Sequence, residues 1–109
     1  MRLPLVVGII LVICTSYAVA GEVYGTITEQ NKAVPTGTKV EVSVSGKVYD
    51  GTTDKFGSYR IVVNEKGKGT VTVHLNQQAA SATVFSYEKA TRYDWIVESA
   101  NGKLSIRRK

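Results

Sequence analysis

Apolar and polar residues alternate along most of this chain. Val40, Val42 and Val44 alternate with Glu41, Ser43 and Ser45, and Val71, Val73 and Leu75 alternate with Thr70, Thr72 and His74. Period two marks a strand with one buried and one wet face, because successive side chains leave a strand on opposite sides. The pattern recurs over 22–28, 47–53, 58–63, 81–87, 91–98 and 103–108. Asp50-Gly51, Lys55-Phe56-Gly57, Lys66-Gly67-Lys68-Gly69 and Asn101-Gly102 read as turns between strands, and 33–37 reads as a loop. About seven or eight short strands at this spacing predict an all-β fold, a single antiparallel Greek-key β-sandwich. The inward positions, among them Val23, Ile27, Tyr59, Ile61, Tyr93, Val97, Leu104 and Ile106, form the expected core, with Trp95 its largest member.

The alternation does not begin at the start of the chain. Met1-Arg2 is followed by an apolar run to Ile13 and then by Cys14-Thr15-Ser16-Tyr17-Ala18-Val19-Ala20. A short positive start, an apolar stretch too brief to span a bilayer and small residues at Ala18 and Ala20 predict a signal peptide. The expected division is 1–20 signal peptide and 21–109 mature domain, with no transmembrane segment in the mature chain and an exported destination, periplasmic or secreted. Ile13 before Cys14 does not fit a lipidation box. Cys14 and Met1 are the only sulfur-bearing residues. The mature domain therefore lacks thiols, which excludes disulfide staples, thiolate metal sites and cysteine nucleophiles. A single His excludes multi-His centres as well, so no cofactor is expected.

A more specific pattern lies in the middle of the chain. Gly25-Thr26-Ile27-Thr28, Ala33-Val34-Pro35, Lys39 to Val44 and Thr53-Asp54-Lys55-Phe56-Gly57-Ser58-Tyr59-Arg60-Ile61 follow one another in an order that resembles carboxypeptidase regulatory-like domains. These are transthyretin-like (prealbumin-type) β-sandwiches, and the resemblance runs from Glu22 to about Leu75. In the piece Thr53-Asp54-x-x-Gly57-x-Tyr59-x-Ile61, Asp54 can cap a tight turn, Gly57 can supply its positive φ, and Tyr59 and Ile61 can re-enter the core. The motif is structural, and the resemblance implies an accessory or binding role. Two better-defined relatives do not fit. Hydroxyisourate hydrolases need several His and a C-terminal Tyr-Arg-Gly-Ser, whereas this chain ends Ser105-Ile106-Arg107-Arg108-Lys109. Adhesin repeats with a Lys to Asn isopeptide bond need a Lys in the first strand, and 22–28 has none.

These readings imply an exported, non-enzymatic binding or accessory module of the cell envelope, whose partner is an unknown envelope protein or glycan. The candidate binding surface is His74 and Thr72 on an outward strand face, Tyr87, and the terminal cluster Arg107, Arg108 and Lys109. One alternative is a small hydrolase that uses His74 with the loop carboxylates Asp50 and Asp54. Catalysis would require an orienting acid and a nucleophile within hydrogen-bond reach of the imidazole. Asp50 and Asp54 as a calcium loop are too few for the six to eight oxygens calcium takes. Another alternative is electrostatic adhesion to anionic envelope polymers through the basic last strand. The 14 Lys and Arg outnumber the 9 Asp and Glu, but Arg107 to Lys109 is the only dense cluster. That cluster has no interleaved aromatics, so no nucleic-acid partner is expected.

Overall fold

The computed structural model describes residues 21–109, and the expected signal peptide with Cys14 lies outside them. Ten strands account for most of the described chain: β1 (Gly21–Glu29), β2 (Lys32–Ala33), β3 (Lys39–Val44), β4 (Lys47–Thr52), β5 (Ser58–Val63), β6 (Gly67–Leu75), β7 (Gln78–Ser86), β8 (Ala90–Arg92), β9 (Trp95–Ala100) and β10 (Lys103–Arg108). They form two sheets packed as a sandwich, as the alternation requires. One sheet runs β4-β3-β6-β7, and in the other β1 is central, with β5 and β2 on one side and β8 and β9, then β10, on the other.

Four hairpins set the register, and each turns through two residues with positive φ: Gln30-Asn31, Ser45-Gly46, Asn76-Gln77 and Asn101-Gly102. Such pairs match the right-handed twist of the flanking strands, where ordinary turns would splay them. Asn101-Gly102 is the one of these read from the sequence. Strand β6 returns beside β3, and β4 leads across the edge of the sandwich to β5. The order β6-β3-β4-β5 is thus the Greek-key arrangement. At the opposite edge β7 lies against β10, where the Leu104 N–H donates to Gln78 Oε1 at 2.9 Å.

Three details depart from the expectation. Strand β1 pairs in parallel with β8 and β9, so the sandwich is not antiparallel throughout. The stretch 91–98 is interrupted at Tyr93-Asp94, which together with the two-residue β2 raises the strand count to ten. Gly67 to Gly69 belongs to β6 rather than to a turn. A Cβ on Gly69 would lie 2.4 Å from the Ser43 carbonyl oxygen, so this glycine serves the close approach of β3.

The expected core is buried, Trp95 at 2 % exposure included, while Ile106 packs against it only partly buried. Val34 and Ala80 also enter it. Tyr59 and Ile61 re-enter the core after a turn in which Asp54 Oδ1 accepts from the N–H groups of Phe56 (2.8 Å) and Ser58 (2.9 Å). Gly57 closes that turn at φ 77°.

One buried position is polar without compensation. Ser86, at the inward-facing end of β7, is 1 % exposed, and its hydroxyl has no hydrogen-bond partner among the described residues. An unpaired buried hydroxyl costs about 1–3 kcal/mol. Ser86→Ala should therefore raise stability by about 1 kcal/mol, read as a higher denaturant midpoint at unchanged slope. A lower midpoint would show that the hydroxyl has a partner.

Candidate functional site

The outer face of the β4-β3-β6-β7 sheet carries Thr70, Thr72 and His74, while Asn76 falls in the following turn. In the ladder Glu41 lies opposite Thr72 and Lys39 opposite His74, so Glu41 and His74 are diagonal neighbours. His74 Nε2 lies 2.6 Å from Glu41 Oε1, and Lys39 Nζ lies 3.7 Å from the other carboxylate oxygen. The hydrogen bond from His74, helped by the Lys39 charge against the opposing effect of partial burial, holds the Glu41 carboxyl below its ordinary value. The acid beside the imidazole is thus the strand residue Glu41, not a loop carboxylate. Asp50 lies opposite Glu41 on β4, and Asp54 caps its own turn. The Thr72 hydroxyl is 2.9 Å from that of Ser81 on β7.

The other candidates lie elsewhere. Tyr87, 54 % exposed, follows β7 and lines an open apolar hollow of about 780 Å³ with Lys66, Glu88 and Ala90. Arg107 and Arg108 belong to the other sheet and their side chains are engaged within the chain, while Lys109 follows β10 and is engaged through its backbone. Arg107 Nε is 3.3 Å from Glu98 Oε2. The Arg108 guanidinium sits 4.3 Å over the Tyr93 ring and donates to the Arg92 carbonyl at 3.1 Å. The Lys109 N–H donates to the Asp94 carbonyl at 2.9 Å. The structure therefore groups Thr72 with His74, sends Arg107 and Arg108 to opposite faces of β10, and leaves Tyr87 apart from all of these.

A further polar arrangement, absent from the sequence reading, lies on the outer face of β1. Tyr24 is the register partner of Arg60 on one side and of Arg92 on the other, so β5, β1 and β8 present Arg60, Tyr24 and Arg92 as one row. Arg60 Nη1 pairs with Glu22 Oε1 at 2.7 Å, and its guanidinium lies 5.3 Å from the Tyr24 ring centre. Arg92 Nε contacts both oxygens of Asp94, at 3.1 and 3.0 Å. Thr26 and Ser58 form the next row, and with Asp54 they line an open groove of about 500 Å³. Long-range strand order creates this row. The alternation over 22–28, 58–63 and 91–98 places Tyr24, Arg60 and Arg92 outward, but it does not place them side by side.

Asp94 joins the groove to the fold. It falls where β8 breaks from β9, and its Oδ1 accepts from the Thr26 N–H at 2.9 Å and the Thr26 hydroxyl at 3.2 Å. A side chain thus satisfies a β1 donor at the interruption in the parallel ladder. Burial pushes the Asp94 carboxyl up, but the Thr26 and Arg92 hydrogen bonds outweigh it, and the group ionises below its ordinary value. A depressed folded-state value means stability that is present above the unfolded carboxyl range and lost as pH falls through the folded value. Acid titration should therefore destabilise the protein below about pH 4, and Asp94→Asn should flatten part of that dependence. An identical acid profile for the variant would contradict this assignment.

No family model matches the chain, and neither does any curated protein. Among solved structures, a DUF3823 family protein from Parabacteroides merdae superposes with a TM-score of 0.55 at 13% identity, over 84% of this chain and 47% of that one. At this identity the likeness shows the β-sandwich fold alone. A protein from Bacteroides uniformis to which carbohydrate binding is ascribed gives a TM-score of 0.48 at 16% identity, over 68% of this chain and 39% of that one. At that score the likeness decides nothing. This chain spans less than half the length of either protein.

Proposed function

We propose that residues 21–109 act as an exported, non-enzymatic binding or accessory module of the cell envelope, of the carboxypeptidase regulatory-like type, matured by removal of residues 1–20. Its partner is an envelope protein or glycan, bound at the outer face that carries Thr72 and His74. The observation that carries this reading is the setting of the Glu41–His74 pair. The two side chains are 27% and 40% exposed on an open sheet face, where water competes for every polar contact. An imidazole held by a carboxylate is two-thirds of a hydrolytic triad, but the nearby Thr72 hydroxyl bonds to Ser81. Such an arrangement suits recognition better than proton transfer. The carboxypeptidase regulatory-like reading is supported by the Asp54 turn and the return of Tyr59 and Ile61 to the core.

The test is retention of envelope proteins and glycans by the immobilised domain. The wild type is expected to retain a defined component, and Thr72→Ala with His74→Ala is expected to lose it. Retention no better than on an inert β-sandwich would overturn the module reading. Esterase or amidase turnover abolished by His74→Ala would replace it with the hydrolase reading.

A further inference from the structure

We propose that the groove on the outer face of β1, between Arg60 and Arg92, is a binding site for a neutral glycan chain. The inference rests on the binding-module reading and adds a second site, on the opposite face of the sandwich, with a defined ligand chemistry.

Three properties of the groove select that chemistry. First, it is polar and open, with walls from Tyr24, Thr26, Ser58, Arg60 and Arg92 and with Asp54 at one end. An apolar ligand would gain little burial there and would strip water from charged groups. Second, its cations are already compensated. Arg60 is paired with Glu22, Arg92 with Asp94, and Asp54 adds a further carboxylate. A phosphate, sulfate or uronate would meet those carboxylates at close range, so charge attraction offers it little. Third, the ion pairs hold donors and acceptors in fixed places. Arg60 spends Nη1 on Glu22, and Arg92 spends Nε on Asp94. Asp54 spends Oδ1 on its own turn. Further guanidinium N–H groups and the second Asp54 oxygen remain to bond a ligand. Planar guanidinium forks beside carboxylates suit vicinal hydroxyls, each of which both donates and accepts.

The dimensions agree. The row crosses three neighbouring strands, roughly 10 Å, enough for more than one sugar ring along the groove. Because the row stands on β1, paired on both sides within its sheet, the backbone beneath the site is fixed before a ligand arrives, which limits the ordering cost of binding to the side chains.

Isothermal titration with neutral hexasaccharides (cello-, malto-, manno- and chito-series), and with polygalacturonate and dextran sulfate as acidic probes, tests the assignment. At least one neutral series is expected to bind, with an affinity that changes little as salt rises, because no net charge is neutralised. Arg60→Gln and Arg92→Gln should each weaken it by at least about tenfold, the scale of a lost hydrogen bond to a charged group. Arg60→Lys should restore little, since it returns the charge without the planar fork. Lys103→Gln, which removes an exposed cation of β10 outside the groove, should leave the affinity unchanged. Thermal melts check that each variant is folded, and Arg60→Gln, remote from the Asp94 joint, carries the test if Arg92→Gln unfolds. Binding by no neutral series, salt-sensitive binding of the acidic polymers alone, or indifference to both arginine variants would each overturn the proposal. If an envelope component is still retained through Thr72 and His74 while the neutral sugars fail, this site falls and the module reading stands.

Discussion

Replacing Trp95 by alanine is expected to cost about 3–5 kcal/mol, the range for removing a buried large aromatic. A domain of this size has on the order of 5–10 kcal/mol of total stability, so the variant should lose about a third or more of it and unfold at a much lower denaturant midpoint. The loss comes from packing and from a polar relay. The Trp95 ring lies parallel to that of Tyr93, 5.7 Å between centres. The Trp95 Nε1–H donates to the Tyr59 hydroxyl at 3.0 Å, and that hydroxyl donates to the Tyr93 carbonyl at 2.6 Å. Burial pushes the Tyr59 hydroxyl's ionisation well above its ordinary value, which favours the protonated, donating form.

The relay makes a second replacement informative. Tyr59→Phe keeps the ring and removes one oxygen, leaving the indole N–H and the Tyr93 carbonyl buried without partners. Each orphaned group costs about 1–3 kcal/mol. Trp95→Phe removes the same indole donor as Trp95→Ala and likewise leaves Tyr59 bonded to the Tyr93 carbonyl, but its phenyl ring keeps much of the packing, so it should be the milder of the two. Denaturant unfolding should rank the losses Trp95→Ala largest, Tyr59→Phe next and Trp95→Phe least. Trp95 is the only tryptophan, so its fluorescence follows unfolding in the wild type and in Tyr59→Phe. A Tyr59→Phe variant as stable as the wild type would mean that the relay contributes packing alone.

Local pattern and long-range order leave different marks on this sequence. The strands 58–63 and 103–108 stand where the alternation put them, and β3 and β4 lie within a residue of it, because a buried face imposes period two on the residues themselves. The turn at Asp54 is equally local. Its carboxylate reaches N–H groups two and four residues ahead, so residue type and spacing suffice to place it. The break at Tyr93-Asp94 has no such mark. Tyr93, Trp95 and Val97 keep the alternation unbroken, and at the interruption Asp94 turns its side chain to Thr26, 68 residues earlier. The candidate sites divide in the same way. Thr72 and His74 share a face because they are two residues apart on one strand. Glu41 beside His74, and Arg60 and Arg92 beside Tyr24, depend on which strands are neighbours, and the alternation does not record that. The terminal cations show the converse. Their density in sequence suggests a free patch, yet Arg108 is stacked on Tyr93 and Arg107 is paired with Glu98.

The same joint leaves no room for a side chain at Gly25. A Cβ built there would stand 2.0 Å from the Tyr93 carbonyl oxygen, 2.6 Å from its carbon and 2.9 Å from Asp94 Oδ1. Two of these three atoms are backbone, so no rotamer change relieves the clash. Strand β1 would have to withdraw from the break between β8 and β9. Withdrawal breaks the Tyr93 N–H bond to the Tyr24 carbonyl (2.7 Å) and the Thr26 N–H bond to Asp94 (2.9 Å). It also disturbs the carbonyl on which the Tyr59 relay ends. Gly25→Ala should therefore cost about 3 kcal/mol or more, the upper end for overpacking, and lower the melting temperature by about 12–24 °C. Gly102→Ala is the matched comparison. Its φ of +77° disfavours a side chain, but nothing lies within 4 Å of the added carbon, so only the backbone term of about 1–2 kcal/mol applies. The ratio of the two losses isolates steric closure at the β1 joint from glycine's conformational role. A Gly25→Ala variant no less stable than Gly102→Ala would show that β1 can move away from Tyr93 at little cost. The groove above it would then lack the rigidity that the arginine row requires.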